Sequence, residues 1–66
     1  MSIRVLGVYA ADRLNPDPLV ANMFTAEGWD GNFVYETQVF AARPADAMRH
    51  AVSQADQLPW KMKVSS

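Results

Sequence analysis

His50 is the single histidine of this chain, and there is no cysteine. Thiolate catalysis, disulfide cross-links and a thiolate zinc cluster are therefore excluded at the outset. Ser53 follows His50 by three residues, a spacing that lets the two side chains meet on one helical face. A serine–histidine pair still needs a cleft and oxyanion donors, and nothing near these positions supplies either. The plainer reading is a solvated helical face on which Asp46 and His50, four residues apart, form a weak pair. The other hydroxyl nucleophiles, Ser2, Thr25, Thr37, Ser65 and Ser66, have no neighbouring base in sequence.

Acid–base chemistry requires two carboxylates in contrasting environments. Asp12, Asp17, Glu27 and Asp30 cluster around the middle of the chain, where capping and turn roles account for Asp17 and Asp30. Glu36 lies among apolar neighbours and is expected to form a cross-strand pair with Arg4 or Lys61. Asp12, Asn15 and Asp17 lack the spacing of a calcium loop, and Pro16 and Pro18 interrupt it. Gly7, Gly28 and Gly31 are isolated, so no phosphate-cradling loop is present. No catalytic, cofactor or metal residue is assigned, and the reading favours a protein that is not an enzyme.

The elements that would carry these residues follow from apolar periodicity. Residues 3–10 read as a strand with Ile3, Val5 and Tyr9 on one face and Arg4, Leu6, Val8 and Ala10 on the other. The segment 12–18, with its two prolines, breaks regular structure. Asp17 and Pro18 look like the cap and first residue of a short second helix over 18–27, closed by Gly28 and striped by Leu19, Val20, Met23 and Phe24. An irregular loop pinned by Leu19, Met23 and Phe24 competes with that helix. Asp30–Gly31 marks a turn. Residues 32–42 form the clearest strand, with Phe33, Tyr35, Thr37, Val39 and Ala41 toward the core. Pro44 opens an amphipathic helix over 44–58, with Ala45, Met48, Ala51, Val52, Ala55 and Leu58 on its apolar side. Trp60, Met62 and Val64 alternate with Lys61 and Lys63 in a last short strand whose lysines guard an edge. The expected fold is a single α+β domain over 1–66: a three-stranded, mainly antiparallel sheet with helix 44–58 on one face.

Size and composition turn this layout into a functional expectation. The chain has 66 residues, half of them apolar, and a net charge of −1. That charge offers no field for nucleic acid or an anionic membrane. No apolar run approaches the ~20 residues of a membrane span, and the first residues lack a secretory pattern, so the expected setting is cytoplasmic. A domain this small buries only ~60% of its unfolded surface, and without disulfides or metal a second chain is the remaining staple. The apolar surplus falls on Leu6, Val8, Val34, Phe40, Met23, Phe24 and Trp29, which are the expected protein interface.

The leading expectation is a small protein-binding module that self-associates, most simply as a dimer. It would act as an accessory subunit or an inhibitor of a partner protein, of the kind phages and mobile elements encode. One alternative is a single-stranded nucleic-acid-binding module using Arg4, Lys61 and Lys63 beside an aromatic sheet face. Another is a small-ligand site formed between chains from Glu36, Tyr35 or His50.

Overall fold

The computed structural model describes residues 2–63; Met1, Val64, Ser65 and Ser66, and with them the expected inward position of Val64, lie outside the described residues. Four strands form one antiparallel sheet in chain order: β1 (Arg4–Tyr9), β2 (Asn22–Trp29), β3 (Val34–Ala41) and β4 (Lys61–Met62). One helix, α1 (Pro44–Ser53), follows β3 and packs across β1, β2 and β3. A single 3-10 turn, Ala55–Gln57, leads to Pro59 and β4. The class is α+β, as its periodicities imply, with four strands where three were expected.

The additional strand is β2, which occupies the segment read as a short helix over 18–27. The capping chemistry anticipated there is real but local. The Leu19 amide donates to Asp17 Oδ1 (2.9 Å) and the Val20 amide to the Asp17 carbonyl (3.0 Å), closing one turn that goes no further. From Asn22 the backbone is extended and pairs on both sides, Phe24 with Val39 and Ala26 with Thr37 on one flank, Ala26 with Val8 on the other. Two ladders outweigh the intrinsic preference of a ten-residue helix that would be marginal by itself. Phe24, Ala26 and Gly28 point inward with the two-residue period of a strand, and Phe24 is 1% exposed. Leu19, expected on the apolar stripe of the helix, is 92% exposed.

Gly28 is not a helix cap. It lies in mid-strand, where a Cβ would collide with Ile3 Cγ2 and come within 3.1 Å of the Trp60 ring. Only glycine lets these two side chains close over β2.

The phase of β1 also departs from simple alternation. Val5 pairs with Gly28 and Gly7 with Glu27, so the register slips by one residue at Leu6. This bulge puts both Val5 and Val8 against the core and turns Tyr9 to the other face, reversing the sides expected for Val8 and Tyr9.

The core lies between sheet and helix and is built from Phe24, Ala26, Val39, Ala41, Ala47 and Ala51, with Val5, Val8, Leu14, Leu58 and Trp60 at its edges. Ala47 and Ala51 are the buried positions of α1. Ala45 and Val52, expected on that side, are exposed. The helix ends at Ser53 rather than Leu58: the Gln54 amide caps the His50 carbonyl at 2.9 Å, and Pro59 forces Leu58 into extended geometry. Trp60 docks by donating its indole N–H to the Ala55 carbonyl at 2.7 Å.

Two side chains fix the loops. Asn22 accepts from the Asn15 amide (2.8 Å) and donates to the carbonyls of Asn15 (3.3 Å) and Ala42 (3.1 Å), tying the proline-rich connector to the end of β3. Asp30 accepts from the amides of Asn32 and Phe33 (2.8 Å each) and from the Tyr35 hydroxyl (2.8 Å). Gly31, at φ 102°, completes that turn in a conformation other residues rarely adopt.

Candidate functional site

The helix covers one face of the sheet, and the register defines what stands on the other. Residues directly opposite one another on neighbouring strands share a face. The open face therefore carries four rows. Arg4, Trp29 and Val34 form the first, and Gly7, Glu27, Glu36 and Lys61 the second. Tyr9, Thr25 and Gln38 form the third, and Met23 and Phe40 the fourth. Tyr9, Met23, Trp29, Val34 and Phe40 are each 38–60% exposed. Large apolar groups thus stand at both ends of the face, with a polar band between them.

That band is charged and locally compensated. Glu27 and Glu36 are direct cross-strand neighbours, a destabilising pair if left alone. Lys63 donates to Glu27 Oε2, and Lys61 stands across from Glu36. The hydrogen bond to Glu27 and then its charge hold the Lys63 ammonium above the ordinary lysine range. The expected partner of Glu36 is present in register, but the ion pair closes one residue pair away, between Lys63 and Glu27.

Of the expected interface residues, Met23, Trp29, Val34 and Phe40 come together on this face, and Leu6 is exposed at the bulge. Two do not belong. Phe24 is the largest fully buried side chain, and Val8 packs against the core. The β2 ladder inverts the first of these, and the Leu6 bulge the second. Gln38 takes the side its alternation with Thr37 and Val39 implies, whereas Tyr9, Thr25 and Glu27 complete the face and were missed for the same two reasons. The alternation of Met23, Thr25, Glu27 and Trp29 with Phe24, Ala26 and Gly28 was the sequence signal that marks them.

The nucleic-acid candidates Arg4 and Lys61 share the open face with Lys63 at its β4 margin, but Glu27 occupies Lys63, and two carboxylates lie in the middle of the aromatic surface.

The remaining chemical candidates are dispersed. The Ser53 hydroxyl donates to the His50 backbone carbonyl at 3.3 Å, not to its imidazole. Asp46 pairs with Arg49 at 3.4 Å rather than with His50. Tyr35 faces the helix side, bonded to Asp30, whereas Glu36 faces the open side, so the two do not form one site. Among the described residues no group of three potential metal ligands converges. Among them, no helix is long and apolar enough to cross a membrane. Two shallow surface depressions, of about 290 Å³ beside Arg4 and Trp29 and about 310 Å³ between Pro16, Pro18 and Arg43, gather no acid, base and nucleophile together.

The chain matches no protein-family model, no curated protein and no solved structure, and the reading of this face rests on its geometry.

Proposed function

We propose that this chain is a small, non-catalytic protein-binding module that acts in the cytoplasm and associates with a second copy of itself through the open sheet face. The observation that carries this reading is the exposure of Tyr9, Met23, Trp29, Val34 and Phe40 on the side opposite the helix. Exposed apolar groups of this size, here clustered at the two ends of one face, mark interaction surfaces. A dimer formed in this way would present its helices outward, leaving those surfaces for a further partner as an accessory subunit or inhibitor.

Sedimentation equilibrium between about 1 μM and 1 mM tests the reading. The expected result is a monomer–dimer equilibrium that Phe40→Glu shifts to monomer while leaving the circular dichroism spectrum unchanged. A wild-type chain that stays monomeric throughout, or a dimer indifferent to Phe40→Glu, overturns it. Salt-sensitive retention of a single-stranded oligonucleotide, lost in the Lys61→Ala/Lys63→Ala double variant, would put nucleic-acid binding in its place.

A further inference from the structure

The open face is palindromic along its two central strands. From one end to the other β2 presents Met23, Thr25, Glu27 and Trp29, and β3 presents Val34, Glu36, Gln38 and Phe40. Both run apolar, polar, polar, apolar. Resting on the self-association proposed above, we infer that two copies stack their open faces about a twofold axis that runs across the strands, between the Thr25–Gln38 and Glu27–Glu36 rows.

A twofold contact sets one patch against itself, so the position of the axis decides which residues meet. With the axis across the strands, each row of one copy lies over the mirror-position row of the other. Trp29 then stacks on the partner's Met23, and Val34 on the partner's Phe40. Glu27 faces the partner's Thr25 and Glu36 faces the partner's Gln38, so each carboxylate meets a hydrogen-bond donor. Tyr9 lies over the partner's Gly7, where a Cβ would have nothing within 4 Å and the surface is open. Arg4 and Lys61 fall in the outer columns and form a polar rim, as interfaces usually have, while Lys63 reaches inward across β3 to Glu27.

The other face-to-face arrangement places the axis along the strands, between β2 and β3. That axis superimposes Glu27 on the partner's Glu36, and the reverse, bringing four carboxylates together at the desolvated centre. Lys63 on Glu27 and Lys61 across from Glu36 offset part of that repulsion within each copy, but across the contact every carboxylate faces a like charge, which is costly. The palindrome and the carboxylates thus select the same axis. The central pairs on β2 and β3 are the least sensitive to the roughly 30° at which aligned sheets cross.

Gln38 provides the test, because it is exposed and both charged replacements are tolerable on a sheet surface. Gln38→Lys sets an ammonium against the partner's Glu36 twice per dimer, and Gln38→Glu sets a carboxylate there twice. Sedimentation equilibrium should show Gln38→Lys tightening the dimer about tenfold and Gln38→Glu loosening it about tenfold. With the axis along the strands Gln38 meets the partner's Thr25 and the partner's carboxylates lie a row away, so the two variants separate by far less. Affinities within about twofold of each other, or in the reverse order, overturn this axis while leaving the dimer itself standing. A wild-type chain without a dimer overturns both. Gly7→Val gives an independent check: it fills the notch under the partner's Tyr9, and an undiminished dimer would overturn the proposed stacking.

Discussion

Gly28→Ala should destabilise this protein, although the same change at Gly7 should stabilise it. Glycine inside a strand costs roughly 0.5–1 kcal/mol relative to alanine, because its backbone loses more freedom on folding. At Gly7 a new methyl meets nothing within 4 Å, so that gain is available. At Gly28 the methyl lands on Ile3 Cγ2, with Trp60 Cη2 and Cζ3 at 3.1 and 3.2 Å. Ile3 is buried and stiff about its branched Cβ. Trp60 is held by its bond to Ala55. Neither withdraws without moving the backbone, and overpacking of this kind costs about 1–3 kcal/mol. A chain of this length is stable by roughly 3–10 kcal/mol, so the loss is large. With a urea slope of about 1 kcal/mol/M, the midpoint should fall by about 1–2 M for Gly28→Ala and rise by up to about 1 M for Gly7→Ala. Both are read by circular dichroism at one low protein concentration, which keeps association from shifting the midpoint. Ile3→Leu supplies the coupling test: it removes Cγ2 at similar volume, and Gly28→Ala in that background should cost about 1 kcal/mol less. A Gly28→Ala midpoint at or above wild type, or no coupling to Ile3, would refute the claim that this glycine exists to let Ile3 and Trp60 close.

Asn22→Ala removes three hydrogen bonds between the connector, β2 and the end of β3, and should cost about 1–3 kcal/mol. Hydrogen exchange at the Asn15 amide should accelerate; unchanged exchange would show that the prolines alone hold the connector. The amides of Phe33 and Asn32 and then the Tyr35 hydroxyl hold the Asp30 carboxyl below the ordinary aspartate range. A depressed carboxyl stabilises the fold above its unfolded pKa of about 4 and loses that contribution as pH falls through the folded value. Acid unfolding should therefore be shallower in Asp30→Asn, and parallel acid limbs would contradict this. The same contact holds the Tyr35 phenol above the ordinary tyrosine range. In a Tyr9→Phe background, alkaline absorbance titration should show that rise and its loss on adding Asp30→Asn.

How far the fold was legible depended on whether one period dominated each segment. Residues 32–42 alternate without competition, and Thr37, Val39 and Ala41 do turn inward, whereas Phe33, expected on the same side, precedes β3 in the Asp30 turn and is 53% exposed. Pro44 and the apolar spacing behind it start α1 where expected, and only its end moved: the backbone leaves the α-helix at Ser53 and passes through a 3-10 turn to the extended Leu58 before Pro59. The middle segment carried two periods at once. Leu19, Val20, Met23 and Phe24 fit a helix stripe, while Phe24, Ala26 and Gly28 fit a strand, and pairing with both β1 and β3 decided between them. That information is non-local. The bulge at Leu6 is of the same kind, since nothing in residues 4–9 marks a skipped register until Gly28 and Glu27 are in place opposite them. Each misplaced site residue traces to one of these two events.

The distribution of side-chain size bears on why the open face has the composition it does. Between sheet and helix the buried side chains are mostly small: Ala26, Ala41, Ala47 and Ala51, around Phe24 and Val39. Alanines on α1 let the helix approach the sheet closely, but each contributes little apolar area. Tyr9, Trp29 and Phe40, able to bury 150–250 Å² apiece, stand on the uncovered side instead. A chain arranged only for stability as a monomer would place its large aromatics inside and its alanines outside. Here the larger apolar groups occupy the ends of a face whose centre holds compensated charge. Face-to-face pairing across the strands buries those ends against each other and gives each carboxylate a donor. On that arrangement the thin core and the rich outer face are two halves of one design, in which a second copy supplies the layer that 66 residues do not.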